Sequence, residues 1–296
     1  SAASDVYKRQ FKNRANRVRG DQDYSPEMLS DAQATMREYS VETSKKSDMR
    51  GAWRDMETAI NQVSATINQD RIRARLSNIG PKIRLLNKLT SLISPTSLLC
   101  YSITEIMPTS GADAAIGIQA YDFLLRSAGE GLLSRVPALG DNQSSVGQFQ
   151  FTNPALQEVH NAQNRYMGGT RHVPAARVGQ LNWQTNNKAA YIFAFHNLIE
   201  AVRRAPDAAH VETAFQNNLV TREDMEGFIA AAHNRPSTAF IGFNRFLRNI
   251  KVYVDRGSRG PRPTYLAAIL GVSGVVGGYA QKSIDNGRAF RTIYRT

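Results

Sequence analysis

Residues 94–107 read SPTSLLCYSITEIM, a stretch that marks both ends of a helix. Ser94 can accept the orphan N–H groups of a first turn. Pro95 costs nothing at the first helical position, where its missing N–H would have no partner. Pro108 stops the run. Between them Leu98, Leu99, Cys100, Tyr101, Ile103, Ile106 and Met107 make the helix apolar on nearly every side, so it is expected in the core. One acid is set into that surface. Glu105 shares a face with Leu98, Tyr101 and Ser102. Desolvation disfavours a carboxylate, so Glu105 is expected to hold its proton toward neutral pH, as a general acid must. The competing reading is a surface glutamate at a helix end.

The flanks extend the helical pattern. Gly80-Pro81 breaks the chain, and residues 82–93 form a helix leading into the Glu105 helix. Upstream, Ser25-Pro26-Glu27 opens a helix to about residue 43. Another is expected over 47–69, with Trp53, Met56, Ile60, Val63 and Ile67 spaced three and four apart, continuing through Arg71, Arg73 and Arg75. Downstream, residues 114–125 are helical and 129–142 irregular. Val146 to Phe151 alternates as a short strand or extended loop does, giving at most one small hairpin near 140–152. Asn153-Pro154 opens a helix to about Tyr166. The helix after Asn182 is apolar nearly all round from Ala189 to Phe195, which expects burial. Further helices cover 207–219, 221–234 and 237–250, and Thr221 with Asp224 forms a capping box. Residues 265–280 read as one close-packed helix rich in small residues.

The fold class is therefore mainly α with a small hairpin, preceded by a helical N-terminal region. The expected divisions are a charged helical region over 11–80, a catalytic domain over 81–255 and a helical extension over 256–296. Residues 1–10, SAASDVYKRQ, look like the in-frame translation of a sequencing adaptor, so natural sequence is expected to start near Phe11. With its start missing, no export signal can be read.

Composition narrows the chemistry. The chain has 296 residues, 42% hydrophobic and 21% charged, as a globular protein does. Its formal net charge of +12 suggests an anionic partner: nucleic acid, acidic lipid or a cell-wall polymer. The single Cys100 excludes an internal disulfide framework, and His160, His172, His196, His210 and His233 show no metal-ligand spacing. No cofactor or metal is expected.

Three stretches carry a resemblance: the Glu105 helix; Ser144-Ser145-Val146-Gly147-Gln148-Phe149-Gln150 with Asn153-Pro154 after it; and Ala231-Ala232-His233-Asn234. In that order they resemble the lysozyme-like lytic transglycosylases, the group of soluble lytic transglycosylases and goose-type lysozymes. There a Glu ends an apolar helix, a GLMQ-type segment follows, and an AYN-type helix end comes third. His233 stands where that family carries Tyr, and Arg235-Pro236 follows Asn234 where it carries Gly. The resemblance covers about residues 82–254. It implies cleavage of peptidoglycan between N-acetylmuramic acid and N-acetylglucosamine, with Glu105 as general acid and base and no second carboxylate required. It implies glycan contacts from Ser145, Gly147, Gln150, His233, Asn234 and Tyr253. Asp113 and Asp141 are the candidates to position water in a hydrolytic variant. It also implies a periplasmic, extracellular or phage-associated setting. Nucleic acid is then an unlikely partner, and an anionic wall polymer a fitting one. The alternative is a non-enzymatic, basic helical binding or assembly protein of a phage or conjugation system.

Overall fold

Ser94 caps the helix it was expected to cap. Its side chain accepts from the Ser97 N–H, and the Ser97 hydroxyl in turn meets the Ser94 N–H. The computed structural model describes residues 47–107, 111–135, 145–175 and 179–294. Among them the fold is mainly α, with thirteen α-helices and one two-stranded antiparallel sheet. The expected helix at 25–43, and Ser144 and Asp141, lie outside the described residues.

In chain order the helices are α1 (Met49–Ser64), α2 (Gln69–Arg75), α3 (Gly80–Thr90) and α4 (Pro95–Ile106). A 3-10 turn (Gly111–Asp113) leads to α5 (Ala114–Ser127) and the short α6 (Glu130–Leu133). The strands β1 (Ser145–Val146) and β2 (Phe151–Thr152) precede α7 (Asn153–Tyr166). Then come α8 (Trp183–Arg203), α9 (Ala208–Gln216), α10 (Arg222–Asn234), α11 (Pro236–Asp255), α12 (Tyr265–Leu270) and α13 (Gly274–Tyr294).

In α10 every residue from Asp224 to Ala232 is buried. So are two helices whose sequence is apolar nearly all round, from Thr96 to Thr104 in α4 and from Ala189 to Val202 in α8. The continuous apolar runs foretold this, because a helix without a polar face has no side to turn to water. The helices α1 and α10 each pack against both, so they bridge the two buried axes. The last helix, α13, lies along α10 and α4. One continuous core therefore takes residues from Met49 to Phe290 and runs through both boundaries, 80/81 and 255/256, at which the sequence was divided.

Two expected helices are interrupted. Between α1 and α2 the chain turns at 65–68, and Asn68 caps α2 by accepting from the Arg71 N–H. The expected helix over 265–280 breaks at Gly271-Val272-Ser273. There Arg245 of α11 donates to the Gly271 carbonyl at 2.7 Å, and the Ser273 hydroxyl accepts from the Val276 N–H. Both breaks satisfy orphan backbone groups with side chains, which makes a turn as cheap as another helical turn. Among the described residues no helix is long and apolar enough to cross a membrane.

Candidate active site

Residues 145–152 form the small hairpin that the sequence allowed, and not the alternative of an extended segment over Val146 to Phe151. Ser145 pairs with Thr152 and Val146 with Phe151, so Gly147 to Gln150 form the loop between two very short strands. Gln150 closes it, its backbone N–H and its side-chain amide both donating to the Gly147 carbonyl, at 2.9 and 2.6 Å. The alternation fails within the turn because neighbouring residues are both buried. Gln148 donates to Asn187 of α8 at 2.5 Å, while Phe149 packs on Tyr101 of α4. A turn clamped between two helices has no solvent face.

Gly147 has a φ of +85°, and a Cβ there would come within 2.9 Å of the Ser134 carbonyl and 3.3 Å of Asn186. The resemblance implied a glycan contact at this position. Here it is buried, and packing against α6 and α8 is what keeps it bare. Gly147→Ala is expected to destabilise the protein by at least about 2 kcal/mol, since left-handed strain and a backbone clash add. Gly168, at φ +58° with nothing within 4 Å of a Cβ, is the control and should lose about 1 kcal/mol. Urea midpoints measure both. Equal losses would mean that the Ser134 contact contributes nothing.

The three stretches of the sequence pattern meet at Tyr101. Its hydroxyl donates to the Phe149 carbonyl at 2.9 Å and also hydrogen-bonds Glu105, one helical turn on. Burial, and then the negative charge of Glu105, push the Tyr101 phenol well above its ordinary pKa, so it remains a donor. Glu105 itself is only partly buried, unlike the residues before it, because it sits in the last turn of α4. His233, at the end of α10, packs its ring 4.5 Å from Tyr101, 5.1 Å from Phe151 and 5.2 Å from Phe193, centroid to centroid. The residue as a whole is only partly buried, yet three aromatic rings wall its imidazole. Desolvation pushes its pKa down to about 3, against a hydrogen bond with the Gln150 backbone that favours the protonated ring. His233 is therefore neutral at physiological pH.

No family model, curated protein or solved structure matches the chain.

The other expected contact residues divide. Ser145 is buried, and its hydroxyl faces the Gln150 side-chain oxygen at 3.5 Å across the hairpin base. Those two side chains turn toward each other and toward the turn. Asn234 is the last residue of α10 and is exposed beside the cluster. Tyr253 does not join it. The cluster lies where α10 ends and α11 begins, and at 1.5 Å per residue Tyr253 is about 25 Å further along α11 from Pro236. A Tyr-Val pair carried too little information to locate it. Asp113 is exposed at the start of α5.

A residue the sequence reading passed over is Tyr279 of α13. It is partly exposed and within electrostatic reach of the Tyr101 hydroxyl. Nothing local flagged it, because α13 reaches α4 only through the tertiary fold. Among the described residues no group of three or more His, Cys, Asp or Glu could hold a metal ion.

Proposed function

We propose that this protein cleaves peptidoglycan glycan strands between N-acetylmuramic acid and N-acetylglucosamine, with Glu105 as the general acid and then the base. The observation that carries the reading is the meeting at Tyr101 of three segments: the helix of Glu105, the Gly147–Gln150 turn and the His233 end of α10. These are the segments whose order resembles the lytic transglycosylases.

In this mechanism protonated Glu105 gives its proton to the glycosidic oxygen as the C1–O bond breaks, leaving positive charge at C1. The carboxylate so formed then takes a proton from the incoming nucleophile. In a transglycosylase that is the 6-hydroxyl of the same muramic acid, and a 1,6-anhydro ring closes. In a muramidase it is water. The Tyr101 hydroxyl, hydrogen-bonded to Glu105, orients the carboxyl. A neutral His233 introduces no competing positive charge. The net charge of +12 favours approach to an anionic wall, in a periplasmic, extracellular or phage-associated setting.

The test is incubation of the protein with purified peptidoglycan of several wall types. Loss of turbidity with release of muropeptides is expected, and mass spectrometry of the new ends distinguishes 1,6-anhydro from reducing termini. A folded protein that releases no fragments from any of them would overturn the reading in favour of a binding or assembly role.

A further inference from the structure

Among the described residues the four most exposed large apolar side chains are Val275 at 68%, Ile241 at 58%, and Val252 and Leu270 at 46% each. Two of them, Ile241 and Val252, stand on α11, and Leu270 ends α12 beside it. At about 100° per residue, Ile241, Arg245, Arg248, Val252 and Arg256 fall within about 80° of one another on the α11 surface. Arg245 crosses to α12 and donates to the Gly271 carbonyl, which sets it beside Leu270. Ile241, one turn before it, and Leu270 thus flank Arg245, and Arg248, Val252 and Arg256 continue the stripe. The acid here, Asp255, is neutralised by Lys251 at 2.9 Å. Arg259 follows, exposed, in the next turn.

We propose that this face docks the protein on an anionic phospholipid surface. A face that served phosphate contacts alone would need only its arginines. Here protruding aliphatic tips alternate with guanidinium groups along one straight stripe, the arrangement that lets apolar side chains enter the headgroup boundary while cations meet lipid phosphates. The stripe is single-signed and helix-straight, which matches a flat anionic sheet. The partner is independent of Glu105 and of the glycan reading.

Co-sedimentation of the full chain with vesicles is the experiment. One set is phosphatidylcholine alone and the other contains phosphatidylglycerol, with a duplex DNA mobility assay beside them. The chain should bind the phosphatidylglycerol vesicles and leave phosphatidylcholine largely in the supernatant. Binding of I241S/V252S should fall at least about tenfold, because it removes the inserting side chains. Binding of R248E/R256E should fall at least as far. These positions are exposed, so both variants should melt like the unmodified protein, which circular dichroism checks. No vesicle binding by the unmodified chain overturns the proposal, and so does binding that both variants keep. Tight DNA binding that R248E/R256E loses and I241S/V252S keeps, without vesicle binding, would make this a nucleic-acid face instead.

Discussion

Glu105→Gln is expected to slow glycan release by about 10²–10⁴-fold, the usual contribution of a positioned acid or base. The fold should be untouched. Glu105 is partly exposed in the last turn of α4, and the glutamine amide can still hydrogen-bond the Tyr101 oxygen, as an N–H donor. A carboxylate in the last turn also meets the negative end of the helix dipole, so its removal should leave stability unchanged or raise it by a few tenths of a kcal/mol. The comparison is the initial rate of fragment release, with a thermal melt as the control. A variant that melts normally and cleaves at the unmodified rate would remove Glu105 from the mechanism.

The second large effect concerns stability. Arg291→Met should cost about 3 kcal/mol near neutral pH, because it strands a buried carboxylate. Glu226 of α10 is fully buried, and its partner is Arg291 of α13. Gly287, one turn before Arg291, leaves the space that carboxylate occupies, since a Cβ there would collide with it. Beside them Arg288 holds Glu223 at 2.7 Å. Burial pushes Glu226 above the ordinary carboxylate pKa, the pairing with Arg291 opposing it only in part. The folded state therefore holds a proton that the unfolded chain releases. Stability falls as pH rises from the ordinary glutamate value through the raised one. Without Arg291 that window widens, so the loss should be small near pH 4.5 and full near pH 7.5. Adding E226Q should recover most of it. Urea unfolding at the two pH values measures this. A loss below about 1 kcal/mol at pH 7.5 would mean that water reaches Glu226 and that α13 is held by its apolar contacts alone.

The candidate site was half legible in the sequence, and the divide follows the range of the forces. Glu105 and Tyr101 are four residues apart, so helix periodicity alone puts them side by side. The Glu105 helix could be picked out from its own residues, and the other two segments that meet at Tyr101 only from their resemblance to family motifs. Their meeting could not. The Tyr101–Phe149 hydrogen bond joins residues 48 apart, and Gln148 reaches Asn187 across 39. Those contacts made a clamped loop rather than an extended segment and gave Gly147 a packing reason in place of a sugar-binding one. Tyr253 was misplaced, and Tyr279 missed, because which end of a long helix faces a given neighbour is a tertiary fact.

What the sequence determined by itself is the run of helices and most of their starts. Ser94, Asn182, Asp207 and Thr221 all cap where their side chains can reach an N–H two or three residues on. It also determined that α4 and α8 are enclosed, since neither has a polar face. Tertiary structure decided where the chain breaks at Gly271, how α13 closes over α10 through Glu226 and Arg291, and which apolar tips stay in water. Capping and periodicity act within a turn or two of the chain. Burial depends on which distant surfaces arrive, and only the folded protein specifies that.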